Sequence, residues 1–457
     1  MTAAGEAVRA NGRREITHWQ VLAIAAPVVV SNATVPLQGA IDTLLIGNLG
    51  IVAALGAVGL GAEIFTLMLG SFNFLQIGVS GLTAQALGAE KSERVAHTLM
   101  RGLIIGAVIA TGLLLLQGPL SSLALGLFEA SAETEAMTAA YFSTRIWGAP
   151  GELMNYALLG WFTGQAMTRR LLQHQLVLTL SNIGLSILFV RSFGWGVEGV
   201  ALATVIANYI GLSYALWLAR RRLRLILPSG WRPDLGRILR RSELVAMMTL
   251  NRDIFIRTML LVGAFAWMAR LGSMQGDEIL AANVVLWQFF GVSAYALDGF
   301  AMAAETLVGQ AIGARDPKRL NRAAWMTTLW SGGLSVVISL LFFASAGSLI
   351  DLFTTAESVR ETARDYVLWA AFVPLAGFLA FQMDGVFIGA TASREMRNTM
   401  VVSSLFYYPG SWLLMESFGN HGIWGAIWAW LLIRGVTLLL LYPSVRARAL
   451  VPRAREG

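Results

Sequence analysis

No cysteine occurs anywhere in the chain, so disulfides, thiolate-bound zinc and iron–sulfur clusters are excluded. Histidine is nearly as scarce. His18, His97, His174 and His421 are scattered without metal-ligand spacing, and no metal site is expected. The sequence contains no G-x-x-x-x-G-K-S/T phosphate loop, no H-E-x-x-H and no G-x-S-x-G. Nucleotide hydrolysis, zinc proteolysis and serine hydrolysis are therefore without their machinery. Neither an enzyme nor a cofactor is expected. Charge is also thin, at 13% of residues against 56% hydrophobic, which excludes an ordinary soluble domain.

What the chain has instead is apolar runs of membrane-crossing length, repeated from end to end. Twelve spans are predicted, at about 17–46, 54–86, 95–117, 137–165, 171–190, 197–219, 243–270, 279–312, 322–346, 364–390, 397–416 and 423–443. The expected fold class is an all-α polytopic membrane protein of two six-helix lobes. The basic N-terminal arm has no short apolar core with a small-residue cleavage site, so the first span is expected to be retained.

A net charge of +7 would suit a nucleic-acid partner, but the arginines are placed for a bilayer. Loops on the side of the N-terminus hold 26 of the 34 Lys and Arg residues, eight of them between Arg220 and Arg241. The opposite loops have only Arg191, Arg270, Arg360 and Arg364. This asymmetry predicts both termini in the cytoplasm, a location in the cell's inner (plasma) membrane, and no nucleic-acid partner. Trp195, Trp424 and Tyr442, near span ends, read as interfacial anchors.

The chain also repeats itself at an offset of 225 residues: Ala84-Gln-Ala-Leu-Gly-Ala89 matches Gly309-Gln-Ala-Ile-Gly-Ala314. The same offset pairs Phe128 with Phe353, Tyr141 with Tyr366, Arg169 with Arg394, and Gly160-Trp-Phe-Thr-Gly164 with Gly385-Val-Phe-Ile-Gly389. A run at constant spacing is duplication. Six spans per copy makes the repeats parallel. The expected division is a cytoplasmic arm 1–16, an N-lobe 17–219, a basic linker 220–242, a C-lobe 243–443 and a basic tail 444–457.

Ionisable residues inside the spans are expensive, an acid at the bilayer centre costing roughly 2.5–3.5 kcal/mol even on the mild insertion scale. Asp42 is the only ionisable residue of the apolar run that begins near Trp19, followed by Leu-Leu-Ile and preceded six residues earlier by Pro36. Proline lacks the N–H and crowds the carbonyl of Asn32, so a bend is expected there. The pattern suggests a titratable switch, against the plainer reading of a polar side chain reaching headgroup water. The other in-span acids are Glu63, Glu152, Asp253, Asp298, Glu305 and Asp384, beside the bases Arg145, Arg252, Arg257 and Arg434. Asp253 and Arg257, at i, i+4, are spaced to neutralise each other. Asp298 and Glu305 are two turns apart on one face, with Asp384 on another span of the same lobe. These three are expected at a binding surface for substrate, with Arg257 beside them. The alternative for Glu305 is a helix-end cap near Gly309 and Gly313. Glu63, Glu152 and Arg434 receive no role.

Several of these stretches resemble the multidrug and toxic compound extrusion (MATE) family, DinF-like branch. They are Ala40-Ile-Asp-Thr-Leu-Leu-Ile-Gly47, Gly81-Leu-Thr-Ala-Gln-Ala-Leu-Gly88, Leu158-Leu-Gly-Trp161, Ala201-Leu-Ala-Thr-Val205, Leu250-Asn-Arg-Asp253 with Arg257, and Asp384-Gly-Val-Phe-Ile-Gly-Ala390. The resemblance spans about 17–443 and rests on the ordered set more than on any one motif. It implies two six-helix lobes around a central cavity and antiport of organic compounds against protons or sodium. It maps the family's acidic site onto Asp42, with Asn155, Asn182 and Thr204 as polar partners and the bend near Pro36. Where many relatives have a second aspartate, this chain has Ser186, at i, i+4 from Asn182, which keeps a hydroxyl on that face but cannot titrate. The expected activity is proton-coupled export of small amphipathic or cationic organic compounds by a monomer in contact with membrane lipids. Sodium coupling and a lipid-linked-precursor flippase remain open, as does, more remotely, a membrane enzyme or structural protein. A net excess of in-span acid disfavours the flippase.

Overall fold

The computed structural model describes residues 15–126 and 130–450. Residues 1–14 of the predicted arm, Phe128 of the repeat and residues 451–457 of the tail lie outside them. Among the described residues every regular element is helical, as a chain crossing hydrocarbon requires, since only a helix or a closed barrel pairs its own backbone groups. Ten helices are long and apolar enough to cross a membrane: His18–Gly47, Val52–Gly88, Ser92–Leu115, Thr168–Ser192, Gly196–Ile226, Arg241–Met274, Asp277–Ala314, Pro317–Phe353, Glu357–Gly389 and Asn420–Arg448. Two more polar helical segments complete the twelve. The fourth span is Ala132–Arg145 joined by a 3-10 turn, Ile146–Gly148, to Ala149–Gly164. The eleventh is Ser393–Phe418. The first helix runs without interruption through Pro27 and Pro36.

Helix ends differ from the hydropathy reading, most clearly at the linker. The sixth helix continues to Ile226, taking in Arg220, Arg221, Arg222 and Arg224. Arginine is a good helix former and carries the helix beyond the apolar stretch. It stops because Leu227 precedes Pro228 and is forced to extended geometry, φ −102° and ψ 150°. The connection is therefore 227–240 rather than 220–242. It contains one short turn, Leu235–Ile238, capped by the Asp234 carboxylate, which accepts from the Arg237 backbone N–H at 3.2 Å.

Packing divides the chain into two compact units. One is Val30–Met248; the other joins Glu15–Val29 to the chain from Thr249 onward. The boundary thus falls inside the first helix. In the second unit the core is built on Phe289, Tyr407, Trp424 and Trp430. Trp424 is no interfacial anchor: it is fully buried, and its indole N–H donates to Asn283 Oδ1 at 2.8 Å. Asn283 and Asn420 bond each other reciprocally at 2.8 and 3.0 Å, so these two amides and the Trp424 indole are paired, while the buried Trp430 indole nitrogen has no partner among the described residues.

The duplication is visible in the backbone. Left-handed residues recur in register at Glu90 and Arg315, Ala166 and Thr391, and Gly194 and Gly419. Tight contacts recur as well. A side chain on Gly160 would collide with the carbonyl oxygen of Gln76, and one on Gly385 with that of Ala301. Gly164 is closed in the same way by Ser80, and Gly389 by Glu305. The G-x-F-x-G stretches therefore let the fourth span lie against the second, and the tenth against the eighth, backbone to backbone. The obstructing atoms are main-chain, so they cannot swing aside. Gly385→Ala is expected to lower stability by roughly 1–3 kcal/mol through overpacking, measured as a fall in melting temperature in detergent. Gly333→Ala, which meets nothing within 4 Å, provides the matched control and should leave the melt unchanged.

Candidate functional site

In the first unit, Asp42 is buried on the first helix, 8% exposed. Its Oδ1 accepts a hydrogen bond of 2.8 Å from the hydroxyl of Ser186, which is fully buried on the fifth span. Asn182, one turn earlier on that span, donates through Nδ2 to Thr204 Oγ1 at 2.9 Å, and Thr204 donates on to the Val200 carbonyl at 3.0 Å. Directly after Ser186 the fifth helix widens into a π-helical turn, Leu188–Ser192, a feature frequent at functional sites. The serine in place of a second aspartate is thus the residue that touches Asp42. Among the described residues no cationic side chain forms an ion pair with Asp42.

Asn155 lies in a different network. Its Oδ1 is 3.1 Å from His174 Nε2 and its Nδ2 donates to the Asn208 carbonyl at 3.0 Å. Asn208 approaches Glu152 at 3.4 Å, and Glu152 holds Arg145 in an ion pair of 2.7 Å while accepting from the Tyr156 hydroxyl at 3.3 Å. Sequence reasoning gave Glu152, His174 and Asn208 no part in the site. One signal was available: Arg145 and Glu152 are seven apart, two turns on one helical face.

In the second unit the expected Asp253–Arg257 pairing does not form. Asp253 accepts from Arg397 at 2.7 Å, Arg252 at 3.1 Å and Ser393 at 3.3 Å. Arg257 instead reaches Asp384, whose Oδ2 also accepts from the buried Arg434 at 2.6 Å. An i, i+4 pair on one helix is worth only roughly 0.2–0.5 kcal/mol, and each partner does better with a buried group on a neighbouring span. Asp384 is therefore the centre of a triad with net charge of one positive unit, not an open anionic group. Glu305 is buried. Asp298 is half-buried and has no ion-pair partner among the described residues.

The MatE family model matches residues 27–188 and 254–413, one stretch in each half of the chain. The chain is 34% identical over 425 residues to the DNA damage-inducible protein F of Escherichia coli (strain K12), covering 92% of this chain and 90% of that protein. It is 24% identical to the "Probable multidrug resistance protein NorM" of Idiomarina loihiensis, over 84% of this chain and 83% of the relative. Two solved structures share the fold. A multidrug resistance MATE family transporter in an outward-facing conformation superposes with a TM-score of 0.85 at 17% identity, over 99% of this chain and 100% of that one. The Vibrio cholerae MATE transporter VcmN in its bent form gives 0.81 at 19% identity, over 98% and 99%.

Proposed function

The chain belongs to the MatE family of multi-pass membrane transporters, and on that footing we propose that it exports small amphipathic, cationic organic compounds in exchange for protons. The observation that carries the reading is Asp42: a buried carboxylate held by a neutral hydroxyl rather than by a guanidinium. An acid already neutralised by arginine has little to gain from a proton. Asp42 has no such partner, so a proton can change its charge and weaken its hold on Ser186. Protonation from outside would release substrate, and loss of the proton to the cytoplasm would reset the site. A proton exchanged for a monovalent cation moves no net charge, so ΔpH drives the exchange, supplying about 1.4 kcal/mol and roughly tenfold accumulation per pH unit.

The charge balance supports a cationic substrate. Arg145 is committed to Glu152, and Arg257 and Arg434 share Asp384, leaving that triad one unit positive. Asp42, Glu63 and Asp298 have no ion-pair partner among the described residues. The arginine asymmetry of the loops supports a plasma-membrane protein with both termini in the cytoplasm, and we read it as acting as a monomer.

One observation favours sodium as a second reading. Asn182 Oδ1 is buried without a hydrogen-bond partner among the described residues, and a hard cation gathers oxygens. Efflux from proteoliposomes with ΔpH and ΔNa⁺ imposed separately decides between the two. The proton reading expects export under ΔpH alone at equal sodium. Export under ΔNa⁺ alone, with none under ΔpH, assigns the site to sodium.

A further inference from the structure

A groove of about 860 Å³ opens between the third and sixth spans, roofed by the connection 227–240. Its walls are apolar: Leu99, Met100 and Leu103 from the third span, Leu216 and Leu223 from the sixth, and Trp231 above. The roof is fastened by Arg101, 6% exposed, which donates to the carbonyls of Ile238 and Arg237 at 2.9 and 2.8 Å and pairs with Glu243 at 3.0 Å. The His97 ring packs on Trp231, 5.8 Å between centroids. The groove is therefore a built feature, closed by a buried guanidinium.

The four arginines at the end of the sixth span are differently occupied. Arg222 donates to Gln165 at 2.9 Å, and Arg221 sits 4.0 Å over the ring of Trp217. Arg220 and Arg224, one turn apart, both line the groove and have no hydrogen-bond or ion-pair partner among the described residues. No Asp or Glu lines it. We propose that this groove binds one anionic glycerophospholipid, its phosphate on Arg220 and Arg224 and an acyl chain along the leucine walls.

Three points select that occupant. Two unneutralised guanidiniums beside an apolar trough fit an amphiphile with an anionic head. The volume matches pockets that hold a molecule of drug size, far more than a free phosphate fills. The half-exposed Trp217 stacked under Arg221 marks the depth at which headgroups lie.

The test is native mass spectrometry of the full-length protein in neutral detergent. It is titrated with palmitoyl-oleoyl phosphatidylglycerol, with phosphatidylcholine of the same chains, and with glycerol phosphate as a bare headgroup. One phosphatidylglycerol should be retained in preference to the other two. The double change Arg220→Gln with Arg224→Gln should weaken it roughly thirtyfold, the product of two charges at a membrane surface. Arg169→Gln with Arg170→Gln removes the same charge elsewhere and should leave the affinity unchanged. Leu103→Trp fills the groove, keeps every charge and should also lose the lipid. Equal weakening by both arginine doubles, equal retention of the two phospholipids, equal binding of glycerol phosphate, or retention by Leu103→Trp each overturns the assignment.

Discussion

Asp42→Asn inserts, folds and binds cationic substrate, yet export driven by ΔpH disappears, and substrate reaches the same concentration on both sides of the vesicle membrane. The change is nearly isosteric and removes a costly charge from a buried position. The amide oxygen still accepts from Ser186, so the 2.8 Å contact survives in neutral form. What is lost is the alternation between charged and uncharged states, and with it the roughly tenfold gradient that each pH unit sustains. Dye binding to purified protein and efflux from proteoliposomes separate the two effects. If the variant still concentrates substrate under ΔpH alone, Asp42 is not the carrier, and Asp298 is the next acid to test.

Asp384→Asn should fail in a different way, through the fold. Its carboxylate is shared by Arg257 and Arg434, and removing the shared anion leaves two buried guanidiniums facing each other. Breaking a buried ion pair by deleting one partner costs roughly 3–5 kcal/mol, so a large drop in melting temperature and in membrane yield is expected. Arg434→Met in the same chain removes one of the stranded cations and should recover part of the loss, a coupling that a double-mutant cycle measures. Asp298→Asn should leave the melt unchanged and weaken cationic substrate. Equal melts for wild type and Asp384→Asn would mean that the triad contributes nothing to stability.

The parts of this molecule legible in the sequence are those set by solvent and by duplication. Hydropathy located all twelve spans because lipid leaves a helix no alternative. The constant offset revealed a repeat that the backbone repeats in turn, down to the left-handed residues at Glu90 and Arg315. Asn182 and Ser186 were singled out by the family resemblance, and helical periodicity placed them on one face. Ion-pair partners were less legible. Asp384 and Arg434 are 50 residues apart on different spans, and which side of each helix faces its neighbour depends on rotations that no local pattern encodes. The i, i+4 rule proposed Asp253 with Arg257 because it sees only one helix. The length of the sixth helix was missed for a related reason: hydropathy ends where arginine begins, but helical hydrogen bonding continues to Pro228.

The contacts at Gly160 and Gly385 carry a consequence for how the two copies came to differ. Each joins two spans through main-chain atoms and a missing side chain, so the spacing of those spans does not depend on what the rest of the helix surface displays. A duplicated gene starting from such a frame can rewrite its polar residues one copy at a time without reopening the frame itself. One copy came to hold a lone acid against a serine hydroxyl, the other an acid clasped by two arginines. The glycine contacts themselves are the same in both copies.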